Sequence, residues 1–95
     1  DPSNALGYST LGALYMSEGN LAEAVEHYDR ALSLNPEPYV ARVAWYEVGL
    51  ARVRQERYAE AGEAFGAALK VDPTFGEARA ALLEVQRLRD QQAAE

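Results

Sequence analysis

Apolar residues along this chain recur at three- and four-residue intervals, the spacing of one face of a helix. Leu6, Leu11, Leu14 and Tyr15 follow it first, then Leu21, Ala24, Val25, Tyr28, Ala31 and Leu32. Tyr58, Ala61, Ala64, Phe65, Ala68 and Leu69 repeat it, and Ala78, Ala81, Leu82, Val85 and Leu88 close the series. Arg87 and Arg89 fall on the more outward side of that last stretch. The pattern predicts an all-α fold of about five helices, over 4–17, 21–34, 38–55, 58–71 and 75–90. The polar tail from Gln91 to Glu95 is expected to fray.

Turn and cap residues place the breaks. Ser3 or Asn4 is suited to cap the first helix by accepting from a free amide. Gly19 can take a positive φ and stop that helix, and Asn20 with Glu23 reads as a capping box for the second. Glu26 and Arg30 form an i,i+4 pair on its outside. Asn35-Pro36-Glu37-Pro38 ends the second helix, since neither proline can continue the hydrogen-bond ladder. Glu56-Arg57 stands where Gly19-Asn20 stood, so the second turn requires either a costly left-handed glutamate or a different geometry, and should be the less ideal of the two. Asp72-Pro73 breaks the fourth helix, and Thr74-Phe75-Gly76-Glu77 reads as a second capping box.

The chain also repeats itself. Tyr8, Leu11, Gly12, Tyr15, Ala24, Tyr28, Ala31 and Pro36 are answered 37 residues later by Trp45, Val48, Gly49, Arg52, Ala61, Phe65, Ala68 and Pro73. Asp1-Pro2 echoes Asp72-Pro73. Pro2 and Pro73 lie six residues before Tyr8 and Arg79, but Pro36 lies nine before Trp45. Three extra residues are nearly one helical turn, so the third helix should start one turn early, at Pro38.

These residues resemble the tetratricopeptide repeat, a helix pair of about 34 residues. The resemblance implies an α-solenoid of antiparallel helix pairs wound as a right-handed superhelix. It divides the chain as one domain: residues 1–4 ending a preceding repeat or capping the first helix, repeats over 5–38 and 39–73, and a capping helix over 74–90. Arg52 departs from the family's aromatic at the place of Tyr15. Gly12 and Gly49 read as close-approach positions, with small Ala24 and Ala61 facing bulky Tyr8 and Trp45. All the motif residues are expected in the core.

Charge narrows the choice of partner. Residues 1–38 carry six acids and one base, net −5; residues 39–75 balance at five and five; residues 76–95 are net −1. The net charge of −6 argues against nucleic acid and anionic membranes and draws a basic partner to the first third. No cysteine is present, and no apolar run approaches the roughly 20 residues of a membrane span. No targeting segment is recognisable, which leaves the cytoplasm as the default compartment. The start at Asp1 without Met reads as a piece of something longer.

Catalytic chemistry has no foothold in these residues. The single histidine, His27, lacks a second histidine or a cysteine to share a metal or a triad, and is expected at the surface. Two helix pairs enclose no pocket that would perturb a carboxylate pair. No cofactor is expected.

The resemblance implies where a partner would bind: the first helix of each pair lines a concave groove. Carried onto this chain, that groove presents Leu6, Ser9, Thr10, Ala13, Met16 and Ser17, then Val43, Tyr46, Glu47, Leu50, Val53 and Arg54, closed by Glu77, Ala80, Ala81 and Glu84. One subset of the family clamps a chaperone's C-terminal carboxylate with cations; the matching places here hold Ser9, Ala13, Glu47, Glu77 and Ala81, where two acids would repel it. The expectation is therefore a non-catalytic interaction module, a fragment of an adaptor or scaffold, taking a basic peptide or helix along Ala13, Met16, Tyr46, Leu50 and Val53. Self-association through exposed helix faces is one rival, and a regulatory domain of a larger enzyme is another.

Overall fold

The computed structural model describes residues 4–94. Five α-helices follow one another with no strand among the described residues: α1 (Ala5–Ser17), α2 (Leu21–Ser33), α3 (Pro38–Arg54), α4 (Tyr58–Val71) and α5 (Gly76–Ala94). They stack into a slab of 47 × 28 × 17 Å. In chain order each helix packs on the next, and α3 also touches α1, so the second pair lies against the first. The assignments of Asp1-Pro2 and Ser3 lie outside the described residues.

Local chemistry explains the ends. Asn4 caps α1, its Oδ1 accepting from the Gly7 amide at 3.0 Å. The α1–α2 and α3–α4 turns are the same motif. Gly19 sits at φ 77° and Glu56 at φ 59°. In each turn two amides bond back across the helix end: Gly19 to Met16 O and Asn20 to Tyr15 O, then Glu56 to Val53 O and Arg57 to Arg52 O, at 2.8–3.0 Å. The second turn is thus not rebuilt. Its hydrogen bonds match the first, and the non-ideality resides in the glutamate's left-handed backbone. Asn35, at φ 53°, ends α2 one residue earlier than the spacing predicts.

Pro38 opens α3 at the early position expected, with Glu37 extended before it as a residue preceding proline must be. Two capping boxes are not formed. Asn20 makes no side-chain cap; its Nδ2 donates to Glu23 Oε1 instead. Thr74 turns back, its amide and hydroxyl both donating to Asp72 Oδ1. α5 runs past residue 90 to Ala94, because nothing in Gln91-Gln92-Ala93-Ala94 breaks a helix.

The core explains the spacing of the repeat. A Cβ on Gly12 would lie 2.8 Å from the Tyr28 ring, and one on Gly49 would lie 2.4 Å from the Phe65 ring. Each glycine is therefore the seat of an aromatic from the partner helix of its own pair. Trp45 does not face Ala61. Ala61 packs with Phe65 and Val85, while the half-buried Trp45 packs on the clusters holding Ala24, Val25 and Ala64 and holding Ala68 and Phe75. Leu11, expected in the core, is 40% exposed and Leu14 is 52% exposed, whereas Val48 and Ala51 at the same repeat positions are 6% and 0%. α2 packs over that face of α3, and no described helix does so for α1.

Candidate protein-binding groove

The early start of α3 shapes the candidate groove. Tyr39, Val43, Glu47, Leu50 and Arg54 recur at three- and four-residue steps and so share one face of that helix. Tyr39 is 58% exposed and Val43 40%. Tyr39 was not anticipated. It rides on the extra turn that Pro38 opens, one helical turn before Val43.

Deeper in the wall, Tyr46 is half-buried, tilted against Phe65 at 5.8 Å between centroids and against Phe75 at 5.3 Å. It is more a packing residue than a free contact. Leu50, Val53 and Ala81 pack beside it on the cluster of Ala61, Phe65 and Val85. On α1, Ala13 is exposed and Ser9 half-buried; Met16 packs against the core next to Tyr15. Arg54 Nη1 donates to the Met16 carbonyl at 3.4 Å and so ties α3 to α1.

The acids of this face differ in their freedom. Glu84 is held by its own helix: Arg87 donates to both its oxygens, at 2.5 and 3.0 Å, which lowers its pKa. Glu47 is half-buried, has no ion pair or hydrogen bond among the described residues, and burial pushes its pKa up. Its charge is felt nearby. Burial first and then Glu47 raise the buried Tyr28 phenol, and burial, Glu47 and Glu77 raise Tyr46. A half-buried carboxylate with no ion pair among the described residues thus stands near two tyrosines, with Glu77 near one of them.

His27 is not a free surface residue. Its ring lies parallel to Tyr15 at 5.1 Å and nearly parallel to Tyr8 at 6.3 Å, and its Nδ1 is buried without a hydrogen-bond partner among the described residues. Among the described residues no group of three or more His, Cys, Asp or Glu is placed to hold a metal. No described helix is long and apolar enough to cross a membrane.

Helix pairs stacked in chain order and repeated in register define a helical-repeat interaction module. Tetratricopeptide repeat models match residues 5–38 and 43–75, and the chain belongs to that family. Over 91 residues, 96% of this chain, it is 31% identical to photosystem I assembly protein Ycf3 of Cyanophora paradoxa. Over 89 residues it is 28% identical to the proteins of the same name from Cuscuta gronovii and Cuscuta obtusiflora. The chain spans 53% of the length of each of these relatives.

Proposed function

We propose that the face built by α1, α3 and α5 binds a peptide or helix of another protein, and that a basic side chain of that partner pairs with Glu47. The observation that carries this reading is Glu47 itself. A carboxylate half-withdrawn from water with no cation beside it is costly, and a partner's Lys or Arg would recover that cost. Val43, Leu50 and Tyr39 supply the apolar contact that an amphipathic helix needs. Ser9, Ala13, Met16, Val53 and Arg54 flank it, with Glu77 as a second acidic contact. Glu84 contributes less, because Arg87 already satisfies it.

The role is non-catalytic assembly or scaffolding, in line with relatives named for assembling photosystem I. The test is calorimetry with a basic amphipathic peptide on the wild type, Leu50→Glu and Tyr46→Ala, each checked for helical folding. Weakened binding in both variants is expected; unchanged affinity in both removes the groove assignment.

A further inference from the structure

The departure at Arg52 opens a second site, away from the groove. The 37-residue repeat sets Tyr8 against Trp45, Tyr15 against Arg52 and His27 against Ala64. In the first pair these positions form a stack of three rings, with the imidazole between the two tyrosines. In the second pair the middle ring is missing, since Ala64 ends at a methyl group. The arginine that replaces the outer ring is drawn aside: Arg52 Nη1 donates to Gln55 Oε1 at 3.0 Å, and its Nε lies 3.5 Å from Glu60.

What remains is a recess of about 300 Å³ between α2 and α4, with Trp45, Arg52 and Ala64 in its lining. Asp29, Glu60 and Glu63 share that lining with Val48 and Ala67, three carboxylates against the cation of Arg52, with Arg57 reaching Glu60 at 3.8 Å. Neither Asp29 nor Glu63 has an ion pair among the described residues. Burial raises the Asp29 pKa, and Arg52 offsets this only in part. A wider recess of about 570 Å³ adjoins it through Asp29 and Arg52, leaving room for the residues that flank an inserted side chain.

A group that suits this place must be flat enough to lie on an indole, as imidazole lies on the tyrosines, and cationic enough to meet the carboxylates. A guanidinium is both; an ammonium is a point charge, and a neutral ring ignores the acids. We propose that the α2–α4 recess receives an arginine side chain from a partner protein, stacked on Trp45 in the place that His27 fills in the first pair. This site does not depend on the α1–α3–α5 groove.

Trp45 is the one tryptophan, so its emission reports the site directly. N-acetyl-arginine amide titrated into the chain should change that emission saturably, and the citrulline analogue, of the same shape without charge, should not. Ala64→His restores the missing ring and should abolish the response. Glu63→Gln, which leaves the recess open, should weaken it by up to about fivefold, the scale of one exposed ion pair. Where Ala64→His alters the circular dichroism spectrum, Asp29→Asn takes its place and should weaken the response similarly. No saturable change with the arginine compound, an equal response to citrulline, or a full response from a folded Ala64→His variant would each overturn the proposal.

Discussion

Single residues settle the turns of this protein. Gly19 and Glu56 occupy the same left-handed position in the same hydrogen-bonded motif, yet only the glycine adopts it without steric cost. A side chain there forces Cβ toward the following carbonyl oxygen. Glu56→Gly should therefore stabilise the protein by about 0.5–1 kcal/mol, the relief of that strain less the added freedom of the unfolded glycine. Urea denaturation of the two forms measures it; equal or lower stability in the variant would mean that the side chain of Glu56 does more than tolerate its backbone. Gly12 and Gly49 answer to a different constraint, the face of an aromatic ring, and there the missing Cβ is a matter of space.

Between elements, the α4–α5 junction is held by charge. Asp72 accepts from the Thr74 hydroxyl and amide and from Arg42, whose guanidinium also lies 4.9 Å from the Phe75 ring centre. The hydrogen bonds from Thr74, then that from Arg42, hold the Asp72 carboxyl below its usual range. A depressed carboxylate pKa stabilises the fold above the unfolded value of about 3.9, and that contribution is lost as pH falls through the folded pKa. Asp72→Asn should thus lower the thermal midpoint at neutral pH, and its deficit should shrink as the solution is acidified below pH of about 4. A deficit independent of pH would mean that the junction is held by shape alone.

For the molecule as a whole, stability and binding pull Glu47 in opposite directions. Its pKa is raised, so the folded state holds its proton more tightly than the unfolded chain does, and this group costs stability as pH rises past its unfolded value. Glu47→Gln should raise the thermal midpoint at neutral pH while weakening the basic peptide. Scanning calorimetry beside the peptide titration separates the two effects; a variant that loses both would make Glu47 a structural residue. The acidic first third adds a long-range pull on the same class of partner, and raising the salt concentration should slow association while leaving dissociation nearly unchanged.

What the chain determined by itself is what neighbours in sequence decide: five helices, the turns at Gly19 and Glu56, and the extra turn at Pro38. These were legible because helical period, proline and left-handed backbone act within a few residues. Tertiary structure decided which faces are covered. Leu11 and Val48 look alike in the pattern, yet α2 lies over one while no described helix lies over the other. The ring stack at His27, the recess beside Trp45 and the isolation of Glu47 likewise depend on residues 12 or more apart in the chain coming to one place. Burial belongs to the pair of surfaces that meet, and a one-dimensional pattern records only one of them at a time.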